Sequence, residues 1–353
     1  MNVEFREVAA RVHDATGYID VFPSPVEDYI RAEFRRMMKV VHPDRVPESM
    51  RPEADEVMRK LNLLRDQAQK ALDDGTFGAA DPVLTLRSGG YRHDCLNRRT
   101  RWFDMSTGFD ARSTATDGSV TDSVVKIARA PHDNDLMIAE ADALRLLAGT
   151  GDEHHMYFPT LLDSVVVQDG RRRMRANVTA RMDGFYNLEQ VKERFPGGID
   201  PLDMGWIWRR VLWALGGSHE AGILHTALVP SHIIIHPTLH GVLLVDWCYS
   251  VQRSDEEFGR LSAIVGSYRD WYPADVLDHS VRPTEALDLA QAARSMCYVM
   301  EGQMVPDEMR KYFAGITSGA THGSAYELLM RFDGVLERLG APYWPRSYRP
   351  LNW

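Results

Sequence analysis

The chain has 353 residues, 44% of them apolar and 26% charged, and a net charge of −9. That length exceeds one ordinary compact core and suits a domain of under about a hundred residues joined to a larger one. The composition is that of a folding globular protein, and the acidic balance disfavours a general electrostatic grip on nucleic acid or anionic lipid, so neither is expected as a partner. Three widely spaced cysteines, Cys95, Cys248 and Cys297, argue against a disulfide framework. Met1 to Ala10 carries acidic residues and no apolar core with a basic flank, so no secretory leader is expected. No apolar run approaches the roughly 20 residues of a membrane-spanning helix. The expected location is the cytoplasm.

In chain order, the first periodic segment runs from Val26 to Val41, where Ile30, Phe34, Met37 and Val41 fall on one face of a helix and Arg31, Arg35 and Lys39 on another. A second helix follows, carrying Val57, Leu61, Leu64, Ala68 and Ala71, with Pro52, Glu53, Asp55 and Glu56 near its start, where proline and carboxylates are favoured. Two such helices with a short polar connection predict an antiparallel pair. The segment from Phe5 to Phe22 shows no clear aromatic signature. Asp73 to Pro82 has turn chemistry and no period, and reads as a linker. From Val83 to Arg181 the pattern turns to short strands, such as Ser123 to Ile127 and Ser164 to Val167, interrupted by a helix from Leu136 to Leu147. From Pro201 onward helices dominate, including Trp206 to Glu220 and Glu285 to Met300, with two short strands at Ile233 to His236 and Val242 to Val245. A β-rich part followed by an α-rich part predicts an α+β domain of two lobes.

The connection after the first helix begins His42-Pro43-Asp44-Arg45. Pro43 disfavours helical geometry at His42 and ends the helix there on a stiff turn. A helical hairpin with this tripeptide at its tip and a basic helix before it resembles a J-domain. The resemblance implies a DnaK-type chaperone as partner, engaged by His42, Pro43 and Asp44 with Arg31, Arg35, Arg36 and Lys39, and a protein client.

Further along, Val124-Val125-Lys126-Ile127 resembles the strand lysine of protein kinases, and Glu140 lies on the helix that follows. Gly222-Ile223-Leu224-His225-Thr226-Ala227-Leu228 through Ile235 resembles the kinase catalytic loop in spacing, and Val242 through Asp246-Trp247-Cys248 stands where a short apolar strand and the metal-binding aspartate would. Trp271-Tyr272-Pro273-Ala274-Asp275 resembles the end of an activation segment, and Asp288 resembles the buried aspartate that ties down the catalytic loop. This order of matches resembles the protein-kinase family. It implies a nucleotide site at Lys126, Glu140 and Asp246, with Asp246 as the metal ligand and ATP and Mg2+ as cofactors.

The departures bear on chemistry. Ala227 stands where the catalytic base would, and a methyl group cannot accept a proton, so no catalytic residue is assigned. His232 stands where an asparagine would hold a second metal, and magnesium prefers hard oxygen donors. Ser88-Gly89-Gly90-Tyr91 is too short for a glycine-rich loop and reads equally well as a plain turn. Two readings of Lys126, Glu140 and Asp246 stay open: they hold nucleotide, or they form an internal ion-pair network. The expected organisation is an all-α J-domain-like unit at 1–79, a linker at 80–84, a β-rich kinase-like lobe at 85–182 and an α-rich lobe at 183–353. The expected function is a co-chaperone or adaptor with an impaired kinase-like domain for nucleotide sensing or client binding. An atypical ATP-dependent phosphotransferase is the alternative.

Overall fold

A computed structural model describes residues 3–15, 17–24, 26–73, 82–99, 106–170, 172–254, 257–340 and 351. The chain forms two compact units, Met1–Asp81 and Pro82–Trp353. Most of the predicted linker from Asp73 to Pro82, with residues 80 and 81 of the 80–84 boundary, lies outside the described residues.

The first unit is helical: α1 (Val3–Asp14), α2 (Tyr18–Val21), α3 (Glu27–Val41) and α4 (Arg51–Asp73). The periodic faces of α3 and α4 meet, and Ile30, Met37, Val41, Val57, Leu61 and Leu64 form the centre of one apolar core. Phe34 is only half-buried, its ring covered by the Arg65 guanidinium 4.7 Å from the centroid. His42 ends α3 in extended geometry, φ −65° and ψ 130°, because the ring of Pro43 clashes with a helical residue before it. Short 3-10 turns at Pro43–Arg45 and Glu48–Met50 lead to α4, whose Pro52 sits in the first turn where its missing N–H costs nothing. The sequence offered no signature for the opening segment, yet α1 buries Phe5, Val8, Ala9 and Val12 in the same core. Those spacings of three, one and three are themselves a helical stripe.

The second unit opens with β1 (Leu84–Arg87), β2 (Tyr91–Arg99), β3 (Ser106–Ala115) and β4 (Val120–Ala128), followed by α5 (Asn134–Leu147), β5 (Leu161–Asp169) and β6 (Arg172–Ala180). The strands form one antiparallel sheet in the order β1-β2-β3-β4-β6-β5. Alternation along β4 sends Val125 into an apolar cluster with Leu86, Cys95, Ala111 and Val178, and places Val124 and Lys126 on the opposite face. Lys126 pairs with Gly108 on one side and Asn177 on the other.

Ser88-Gly89-Gly90-Tyr91 is the β1–β2 turn, in which the Ser88 hydroxyl accepts from the N–H groups of Gly90 and Tyr91 at 3.2 and 3.1 Å. Tyr91 pairs with Ala115, seven residues along β3 from the Gly108 that faces Lys126, so the turn stands roughly 20 Å from that lysine by strand rise. It is a plain turn and no phosphate cradle. The β2–β3 connection, whose flanking residues pair nearest Lys126, includes residues 100–105, which lie outside the described residues.

After the sheet come β7 (Tyr186–Asn187), α6 (Leu188–Arg194), α7 (Pro201–Glu220), β8 (Ile223–Leu224), β9 (Ile233–His236), β10 (Gly241–Leu244), β11 (Val251–Ser254), β12 (Glu257–Phe258), α8 (Ala274–Leu277), α9 (Glu285–Met300), α10 (Asp307–Thr317) and α11 (Ala325–Arg338). Helix α7 starts cleanly because the Asp200 carboxylate accepts from Leu202 N–H at 2.8 Å with Pro201 next to it. Its residues are apolar almost all round, as suits a helix at the centre of a lobe. Trp206, Trp208, Val211 and Leu215 are fully buried in a core shared with Ala293 and Met296 of α9 and Phe332 and Leu336 of α11. Gly216 lets the Tyr326 ring approach, since a Cβ there would meet the ring at 2.4 Å. Among the described residues no helix is long and apolar enough to cross a membrane.

Candidate functional site

The three charged residues singled out in the second unit converge. Lys126 Nζ on β4 donates to Glu140 Oε1 of α5 at 2.7 Å and to Asp246 Oδ1, just beyond β10, at 2.6 Å. All three are buried or nearly so, with side-chain exposures of 8% for Lys126, 3% for Glu140 and 11% for Asp246. Burial alone would lower the lysine pKa, but Asp246 and Glu140 together overcome it and hold the ammonium well above its ordinary range. Burial works against the Asp246 carboxylate too, and Lys126 above all outweighs it, so Asp246 stays ionised far below the usual carboxylate range. Asn177 of β6, which the sequence reading missed, completes the set: its amide donates to Glu140 Oε2 at 2.9 Å and to the Met137 carbonyl at 2.8 Å. Only the β4–β6 register brings it there, and no local pattern announces it.

Asp246 has a left-handed backbone, φ 67° and ψ 55°. Its Oδ1 also accepts from the Cys248 thiol at 2.9 Å, and burial followed by the adjacent carboxylate pushes that thiol pKa well up. Trp247 is fully buried, donates its indole N–H to the Leu244 carbonyl at 2.7 Å, and packs edge-on against Phe158.

The loop from His225 to His232 is fastened from below by α9. Asp288 is fully buried and accepts from His225 N–H at 2.8 Å, Thr226 N–H at 2.7 Å and His219 Nε2 at 3.0 Å. Gln291 accepts from Leu228 N–H at 3.1 Å, and the Ser295 hydroxyl donates to the Leu228 carbonyl at 2.8 Å. The His225 imidazole donates through Nε2 to the Val245 carbonyl at 2.9 Å and accepts at Nδ1 from Ala227 N–H at 3.3 Å. That arrangement suits the neutral ring, and burial pushes its pKa down to about 4.

These contacts, a six-stranded antiparallel sheet carrying one helix and a helical lobe behind it, define the architecture. The fold is protein-kinase-like. A solved structure of vaccinia related kinase 3 superposes with a TM-score of 0.55 at 14% identity, covering 79% of this chain and 96% of the other. At that identity the likeness establishes the fold and nothing about activity. No family model matches the sequence, and no curated protein matches it.

The kinase-like unit contains a cavity of about 340 Å3 between the sheet and the helical lobe. Val124, Thr179, Met182 and Leu243 line one part of it, and Lys126, Asp246 and His232 line another. An apolar wall with a few convergent polar groups fits a nucleotide-sized ligand. Glu140 and Asp246 are the only carboxylates among the described lining residues, and both are bound to Lys126. Magnesium fits less well. Asp246 Oδ1 is engaged by Lys126 and Cys248, and the neighbouring donor is the imidazole of His232, whereas magnesium demands oxygen ligands.

On the other side of the loop, Ala227 is fully buried in an apolar cluster with Val229, Tyr249 and Val265. Position 227, where the sequence reading expects the base, is therefore filled by packing.

In the first unit, the His42 side chain is 44% exposed and that of Asp44 86% exposed, on the connection between α3 and α4. His42 Nδ1 accepts from Asp44 N–H at 3.3 Å, which stiffens the tip. The basic face is partly neutralised. Arg31 pairs with Glu27 at 2.5 Å and Arg36 with Glu33 at 2.9 Å, while Arg35 and Lys39 are exposed on the same helix outside these two pairs.

Proposed function

We propose that the chain is an adaptor of the co-chaperone type. Its N-terminal helical unit recruits a DnaK-type chaperone, and its kinase-like unit holds ATP without efficient phosphoryl transfer, serving nucleotide sensing or client binding. The reading rests on one observation above all: an exposed His42-Pro43-Asp44 tip between two packed helices, with Arg35 and Lys39 exposed on the preceding helix. Exposed cations on a helix steer association with an acidic surface and contribute more to encounter than to affinity. The test is ATP turnover by a DnaK-type chaperone of demonstrated activity. The purified chain is expected to accelerate it, and His42→Gln to abolish the acceleration while leaving the chain's own melting curve unchanged. No acceleration by the unaltered chain rejects the reading.

For the kinase-like unit, the support is the cavity beside Lys126 and the burial of Ala227. Nucleotide at about 100 times its dissociation constant should stabilise the native state by about 2.7 kcal/mol. That stabilisation should vanish in Lys126→Ala. A second reading, slow phosphoryl transfer, is favoured by the retained contact of Lys126 with both Glu140 and Asp246. Loss of a positioned base removes a factor of about 100 to 10,000 in rate, so positioning alone leaves slow transfer. Label transfer from ATP to protein, lost in Asp246→Ala, would establish this second reading. Binding without transfer of either the γ- or the α-phosphate would exclude it.

A further inference from the structure

The His232 imidazole is held in a fixed state by its surroundings. Its Nδ1 lies 2.8 Å from the Ala227 carbonyl, an atom that can only accept, so the hydrogen sits on Nδ1. The ring is buried, and it stacks on Tyr249 at 6.0 Å between centroids with 21° between planes. Its other nitrogen, Nε2, faces Asp246 Oδ2 at 3.3 Å, on the wall of the 340 Å3 cavity. Asp246 is oriented by donors on its other oxygen, Lys126 at 2.6 Å and Cys248 at 2.9 Å. An imidazole that donates its distal N–H to a backbone carbonyl, beside a carboxylate held by its own hydrogen bonds, is the outer-shell pattern of metal ligands. A separation of 3.3 Å also suits two adjacent donors, each about 2.0–2.1 Å from one first-row ion.

The geometry points to a divalent site that takes a nitrogen-tolerant first-row ion, manganese through zinc, in preference to magnesium, with His232 Nε2 and Asp246 Oδ2 as its two protein ligands. Imidazole raises affinity along that series, whereas magnesium gains little from nitrogen. Among the described residues no group of three or more His, Cys, Asp or Glu is placed to hold a metal. The remaining positions therefore fall to nucleotide phosphate oxygens and water. The inference rests on the nucleotide reading above, and the experiment separates the two.

The experiment uses the full chain and Mn2+ as the probe. Binding of a fluorescent ATP analogue is first measured in EDTA, in Mg2+ and in Mn2+, and its failure in all three counts against the nucleotide reading alone. Mn2+ binding is then followed by loss of the free-ion paramagnetic signal, with and without a non-hydrolysable ATP analogue, in competition with Mg2+. The expected result is that His232→Asn reduces the preference for Mn2+ over Mg2+ by at least about tenfold, as exchange of an imidazole nitrogen for a hard amide oxygen should. An unchanged preference in that variant overturns the inference. A direct readout on the unaltered chain guards against misfolding of the variant: bound Mn2+ should show coupling to an imidazole 14N in pulsed electron-spin measurements. Bound Mn2+ without that coupling, or no Mn2+ binding under any condition, overturns the inference as well.

Discussion

The two sides of the loop from His225 to His232 differ in kind. Toward the cavity, charge has been kept: a lysine lies between two carboxylates, and an imidazole and a thiol attend one of them. Toward Ala227, charge is gone and Tyr249 and Val265 close over a methyl group. Buried ion pairs contribute little net stability and are costly to break, so their presence is a weak argument for stability and a better one for a specific arrangement. The difference teaches that one loop can carry a charged cluster on one side and an apolar seal on the other.

The largest expected effect tests what both sides share. Asp288→Ala removes the acceptor from three buried donors, two backbone N–H groups and the His219 ring. Each buried donor left unmet costs about 1–3 kcal/mol, so denaturant unfolding should show a loss of about 5 kcal/mol. A loss below about 1 kcal/mol would mean that the loop is fastened elsewhere.

The next test addresses the apolar side directly. Ala227→Asp puts a carboxylate among Val229, Tyr249 and Val265, and its burial should cost about 4 kcal/mol of unfolding free energy without creating phosphoryl transfer. Recovery of rapid label transfer at unchanged stability would show that this side opens to substrate, and the contrast drawn here would fail.

The smallest effect concerns pH. The folded value of His225 lies near 4 because burial dominates, while the unfolded ring titrates near its ordinary value of about 6.5. Between those two values the unfolded chain binds a proton that the folded chain does not, so stability falls as pH drops from 6.5 toward 4 and is unaffected above 6.5. At pH 4.5 the loss from this group is about 2.5 kcal/mol. Urea unfolding at pH 7 and 4.5 measures it, and His225→Gln should show the smaller drop. Equal drops in both proteins would remove His225 from the account.

Much of this arrangement was legible from residues alone. The order of Lys126, Glu140, the His225 loop and Asp246 announced the two-lobed fold, and α9 spans Glu285–Met300 as expected. Lys126, Glu140 and Asp246 meet because strand alternation and helix pitch are local rules that place side chains on known faces. What stayed hidden depends on register and long-range closure. Asn177 reaches Glu140 only through the pairing of β4 with β6. Distance from Lys126 settles the role of the glycine turn, and only the β2–β3 register supplies that distance. The sealing of Ala227 depends on Val265, thirty-eight positions downstream, and no spacing rule links the two. The stripe on α1 is a different case: its period was present in Phe5, Val8, Ala9 and Val12, but a short helix with only four such residues gives a faint signal.

The His225 loop is fastened at two of its main-chain N–H groups by a carboxylate that lies 62 and 63 positions later in the chain. That fastening does not depend on which side chains stand at 225 and 226, and the Thr226 hydroxyl adds its own bond to the Tyr249 carbonyl at 2.7 Å. A scaffold held in this way at its backbone can lose a reactive side chain and still present the same contour, so a change at 288 should disturb the loop more than a size-matched change at a loop side chain.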